Sequence, residues 1–182
     1  MAEMRKFAMK EGVPWVGNNP DLLRLGPAAI ETIAETKLTQ ESFQRLKTEA
    51  EFKAKDVVNL ARFARDRKLD ANQLSGEVVD TGKALEPGND PESRRRRGEF
   101  FGKIRDYFAN PRDPRARRAL AEHGEQFAGD PEKKAKFEGV MKKLGIPSQE
   151  ENKTSATTES NQAKAGTHEA KVEDTELTGQ KT

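Results

Sequence analysis

A chain of 182 residues that is 33% hydrophobic and 35% charged has room for one ordinary domain with a small core. The absence of cysteine excludes disulfides, thiol catalysis and cysteine-ligated zinc, and the formal net charge of +2 conceals a strongly basic segment. The first ten residues lack the apolar stretch of a secretory signal and the apolar runs are short, so the expectation is a soluble protein of the cytoplasm or nucleus, not secreted, with no membrane partner and no cofactor.

Residues 1–19 read as an extended N-terminal arm. Arg5, Lys6 and Lys10 make it modestly basic against Glu3 and Glu11, and Val13-Pro14-Trp15-Val16 makes its end apolar. Trp15 has two readings, a plug for one end of a helical bundle or an arm that docks into a partner subunit; the second makes it the candidate partner contact of a homo-oligomer.

Residues 20–147 read as a helical domain punctuated by Asx before proline: Asn19-Pro20, Asp90-Pro91, Asn110-Pro111, Asp113-Pro114 and Asp130-Pro131. The Asx side chain accepts from an orphan N–H of the first turn, and proline at the next position has no N–H to orphan. Each pair is therefore a candidate helix start, with Asn110 and Asp113 competing for one. After Pro20 the run Leu22, Leu23, Leu25 is cut short by Gly26-Pro27, and Pro27 restarts a helix through Ala28, Ile30, Ile33 and Ala34. Thr39 opens the longest expected element, a helix over about 40–68. Its stripe is Phe43, Leu46, Ala50, Ala54, Val57, Ala61 and Ala64, broadened by Phe52, Leu60 and Phe63. Asp70 caps the next helix, with Leu74, Val78 and Val79 inward. Helices over 91–109, 114–127 and 131–144 follow, the last stopped at Gly145. Phe108-Ala109-Asn110-Pro111 is echoed by Phe127-Ala128-Gly129-Asp130-Pro131, two helical joints built alike. With no period-two alternation, the expected fold class is all-α, a compact irregular bundle of about six or seven helices.

Residues 148–182 carry seven acidic and four basic side chains and no aromatic, and read as a disordered acidic polar tail of formal charge −3, which leaves +5 for residues 1–147. Such a segment is either a solvating bristle or a cover that folds back over a basic face.

The basic segment spans residues 94–118. Arg94, Arg95, Arg96, Arg97, Lys103, Arg105, Arg112, Arg115, Arg117 and Arg118 stand against Glu99, Asp106 and Asp113, a formal +7 in 25 residues. Arginine forks match phosphate bidentately, so these ten are the candidate nucleic-acid-binding residues. Four cations in the opening turns of a helix face the positive end of its dipole, at a cost of about 0.3–1 kcal/mol each unless anions attend them. The interleaved Phe100, Phe101, Ile104 and Phe108 have the spacing of a buried face. The arginines are equally readable as a solvated outer face.

Other chemistries have little support. Leu60 to Val79 has the outline of a DNA-reading helix-turn-helix, yet its outer face, Asn72, Gln73, Glu77 and Asp80, is not basic, and the segment reads as an ordinary helical hairpin. His123 and His168 are the only histidines, and no phosphate-cradling glycine motif is present. The expected function is therefore a non-enzymatic nucleic-acid-binding protein, for RNA or DNA, largely independent of sequence. A basic helical body with an acidic polar tail looks like the architecture of viral or phage packaging and nucleocapsid-type proteins, which adds the virion as a location. The alternative is a helical interaction or assembly module that oligomerises or binds an acidic partner.

Overall fold

Four of the five Asx-Pro pairs open helices. In the computed structural model residues 1–147 are described; the expected disordered acidic tail, 148–182, lies outside them. The chain runs α1 (Ala2–Lys10), a 3-10 turn (Pro14–Asn18), α2 (Pro20–Leu23), α3 (Pro27–Thr36), α4 (Gln40–Glu49), α5 (Ala54–Asp66), α6 (Ala71–Leu85), α7 (Pro91–Ala109), α8 (Pro114–His123), a second 3-10 turn (Gly124–Phe127) and α9 (Pro131–Lys143). No strand occurs among the described residues, and the fold is all-α. None of these helices is long and apolar enough to cross a membrane.

The caps work as their chemistry dictates. Thr39, Asp70, Asp90, Asp113 and Asp130 each accept a backbone N–H of the following first turn. Asn19 is the exception: it precedes α2 but turns its Nδ2 back to donate to the carbonyl of Trp15 at 2.9 Å. Asp113 wins over Asn110 because a helix begun at Pro111 would carry Pro114 in its fourth position. There the ring meets the carbonyl of residue 110 and the preceding residue is driven out of the α region.

Two expectations need correction. Residues 1–19 are helical rather than extended: Met4, Phe7 and Ala8 line one side of α1, Ala8 is fully buried, and Val13 N–H donates to the Ala8 carbonyl at 2.9 Å to fold the next turn back. The helix expected over 40–68 breaks at residues 50–53, where Glu51 adopts φ 58°. Phe52 N–H closes the end of α4 on the Leu46 carbonyl at 3.0 Å, Phe52 becomes 97% buried, and Asp56 caps the restart by accepting from Lys53 N–H at 2.9 Å. A left-handed residue costs about 1–2 kcal/mol, and burial of a phenylalanine returns about as much or more. The all-α bundle is as expected; the described residues hold nine helices, α1, α2 and the division of the long helix adding to the six or seven anticipated.

The centre of the molecule is the mutual packing of α5, α6 and α7. α3 lies on α5, α4 and α9 lie on α6, and α8 lies on α7. Phe63 of α5 meets Tyr107 and Phe108 of α7 edge-on, with ring centroids 5.5 and 5.1 Å apart. Where α6 crosses α7, a Cβ on Gly82 would stand 2.2 Å from Cζ of Phe101, so this crossing admits only glycine without a shift of the ring. Trp15 is half-buried and packs on Phe43 at 5.6 Å, inside its own chain.

Candidate nucleic-acid interface

The basic segment folds into α7, the turn 110–113 and α8. α7 is about 28 Å long at 1.5 Å per residue, and α8 returns along only its C-terminal part, since His123 at the end of α8 lies against Phe100 at 5.9 Å. Arg94 to Arg97 therefore stand beyond the end of α8, and the structure does not bring the ten cations into one patch.

Six of the ten have partners within the body. Arg95 is flanked by acids: Nε and Nη2 donate to Glu92 at 3.1 and 2.5 Å, and Nη1 donates to Glu99. Arg96 Nε also reaches Glu92, at 3.3 Å. These bonds, Arg95 first, hold the exposed Glu92 carboxyl below its ordinary range. Arg97 Nη1 donates to the carbonyls of Glu86 at 2.5 Å and Gly88 at 3.1 Å, tying the loop before α7 to its first turns. Arg105 Nη1 donates to the Ala50 carbonyl at 3.1 Å, and so supports the break between α4 and α5. Arg117 Nη2 donates to the Gly145 carbonyl at 3.2 Å. The dipole penalty expected for the opening turns of α7 is thus largely met from inside: Glu92 serves Arg95 and Arg96, and carbonyls serve Arg97.

Lys103 faces a buried imidazole. His123 is 2% exposed and sits among the rings of Phe100, Phe127 and Phe137, with Nδ1 3.1 Å from Lys103 Nζ and 3.2 Å from Gln126 Nε2. Lysine brings only donors, so Nδ1 is the acceptor and the ring is neutral. Burial, then the charge of Lys103, pushes its pKa down to about 4, with Glu99 opposing weakly. On the sequence His123 is one of two histidines, 20 residues from Lys103, with no local signal that pairs them.

Four arginines remain. Arg94, Arg112, Arg115 and Arg118 are exposed and make no hydrogen bond or ion pair with any described residue. Arg94 is alone at the start of α7. The other three are grouped: Arg112 lies in the turn, and Arg115 and Arg118, one helical turn apart, point outward from α8 while Leu120 and His123 point in. Glu122 follows on the same outward face and forms no ion pair with them. The positive end of the α8 dipole adds to the field here, partly offset by the Asp113 cap.

The outer face of the helical hairpin is engaged within the body. Asn72 binds α3 and α4, Gln73 bonds to Glu77, Glu77 pairs with Lys143 at 2.5 Å, and Asp80 pairs with Arg45 at 2.9 Å. Among the described residues no group of three His, Asp or Glu side chains is placed to hold a metal ion. The chain matches no family model, no curated protein and no solved structure.

Proposed function

We propose that this chain is a non-enzymatic nucleic-acid-binding protein that holds phosphates on the outward face of α8 through Arg112, Arg115 and Arg118, with little preference for sequence. The observation that carries this reading is the unshared charge of those three side chains. Of the ten cations between residues 94 and 118, six have partners within the body, and the three that lack one and lie together are these. Mutual repulsion between like charges one turn apart is relieved when an anion with phosphate spacing lies across them. Arg94 is a secondary contact on the same molecule, and the remaining cations of the segment serve the fold. A role in packaging nucleic acid within a particle is one setting for such contacts.

The test is binding of the full chain to labelled single- and double-stranded RNA and DNA at two salt concentrations. Replacing Arg112, Arg115 and Arg118 together with Gln is expected to weaken binding to unrelated sequences alike and to reduce the salt slope on duplex DNA by about 3, at 0.9 per phosphate. Arg95→Gln, which removes a cation already paired, serves as the control and leaves the slope nearly unchanged. An unaltered slope in the triple variant rejects the α8 face. No binding at low salt by the parent chain rejects the nucleic-acid reading, and a discrete oligomer on sizing then supports the assembly module in its place.

A further inference from the structure

We infer that the nucleic acid held on α8 is an intact double helix, gripped by its phosphates with its base pairs left stacked; this rests on the reading of Arg112, Arg115 and Arg118 as phosphate contacts. The observation is where the flat side chains go. The chain has nine Phe, one Trp and one Tyr, and none of them follows residue 147. Every Phe except Phe7 is buried at 4% exposure or less. Phe100, Phe127 and Phe137, the rings nearest α8, close around His123, itself 2% exposed. Tyr107 is fully buried, and its hydroxyl donates to the Leu144 carbonyl at 2.6 Å, fastening the end of α9 to α7. The two half-buried rings, Phe7 and Trp15, pack against the core from α1 and the first 3-10 turn. Those two elements lie against each other and against α3 and α2, whereas α8 lies on α7 and the second 3-10 turn.

A single strand held without sequence preference makes use of such rings. Its bases are laid on aromatic side chains, each worth about fivefold to a hundredfold in affinity. Its flexible backbone must also be ordered before it meets a fixed row of cations. A double helix needs neither. Its bases already stack on one another, its backbone is stiff, and it carries one charge per about 1.7 Å of axis. The α8 arginines stand on a comparably fixed support, since Asp113 caps the helix and Leu120 and His123 bury its inner side. A wedge to open base pairs is also lacking on this face: the large apolar side chains exposed among the described residues are Met1, Met9 and Leu25, all on the N-terminal elements.

The full chain is to be titrated with a duplex of about 20 base pairs, with one of its single strands, and with a strand of equal length made wholly of abasic sites. Duplex and strand are compared in both DNA and RNA, which offer the same phosphate chemistry. Three contacts at about 0.9 per phosphate on a duplex and about 0.7 on a strand predict a duplex preference of about sixfold at about 50 mM salt. The abasic strand is expected to bind within about twofold of the strand with bases, because no base is stacked on the protein. A 2-aminopurine in the middle of the DNA duplex should keep its quenched, stacked emission at saturation. A strand that equals its duplex in both sugars, an abasic strand weaker by about tenfold or more, or a rise in 2-aminopurine emission overturns the inference. In that event a loss of strand affinity in the Arg112, Arg115 and Arg118 to Gln variant keeps the α8 phosphate reading standing. No binding by duplex or strand at low salt, or duplex binding that the triple variant leaves unchanged, rejects that reading and the inference with it.

Discussion

At the scale of single residues, Asn72 shows how much one carboxamide can hold. Its oxygen accepts from Thr39 N at 2.9 Å and Ser42 Oγ at 2.8 Å, at the start of α4, while its Nδ2 donates to the Lys37 carbonyl at 3.0 Å, at the end of α3. One side chain on α6 therefore ties together the end of α3 and the start of α4. Asn72→Ala is expected to cost about 1–2 kcal/mol by urea unfolding, the net worth of a few half-exposed hydrogen bonds. Asn72→Asp keeps the acceptors but sets an anionic oxygen against the Lys37 carbonyl, and should cost at least as much. A loss below about 0.5 kcal/mol in both would show that packing alone sets this junction. Nothing local announces the role: the partners lie 30 to 35 residues away, and on the sequence Asn72 is merely a polar residue in a first turn. Lys103 is a similar case, one cation among ten until its neighbour His123, 20 residues on, is seen to take its hydrogen bond.

At the scale of elements, α3, α4 and α5 all end on a residue in the left-handed region, Lys37 at φ 56°, Glu51 at 58° and Lys68 at 57°. A Cβ is disfavoured there, and glycine is the usual occupant. Lys37→Gly is expected to raise stability by about 0.5–1 kcal/mol, since relief of the left-handed strain outweighs the extra freedom of glycine in the unfolded chain; its carbonyl still serves Asn72. Thermal or urea unfolding checks the sign, and a decrease would mean that the lysine side chain contributes more than its backbone costs. The same residues explain what was legible. Helix starts rest on a local capping side chain, followed directly by proline at Asp90, Asp113 and Asp130, and these starts and the one at Asp70 are readable directly. The break at Glu51 was not, because the apolar stripe runs through Ala50 and Ala54 at helical spacing and the stopping residue is a glutamate. The arginine segment was legible as charge and not as a surface. Whether Arg97 or Arg118 meets solvent depends on the Glu86 and Gly88 carbonyls lying near one and no acceptor lying near the other.

At the scale of the whole molecule, stability should depend on pH through the buried imidazole. His123 is held near pKa 4 in the fold and returns to about 6.5 when unfolded. Below pH 6.5 the unfolded chain takes up a proton that the folded chain refuses, so this contribution is fully present above that pH and is lost as pH falls to about 4. The total is about 3 kcal/mol. The exposed carboxyls that Arg95 and Ser93 depress, Glu92 and Asp90, act in the same direction but at lower pH. Urea midpoints measured from pH 7 to 4 should therefore begin to fall below pH 6.5, and His123→Gln should flatten the upper part of that curve; an unchanged curve would place the proton elsewhere. The fastening at Leu144 has a consequence in time as well. Tyr107 emerges from the ribosome 37 residues before the carbonyl that its hydroxyl needs, about 2–7 s at ordinary rates of translation. Throughout that interval the phenol and the side of α6 that α9 will cover remain in water. A message truncated anywhere before codon 144 thus yields an unclosed body, open to degradation and aggregation, rather than a shorter version of the same protein.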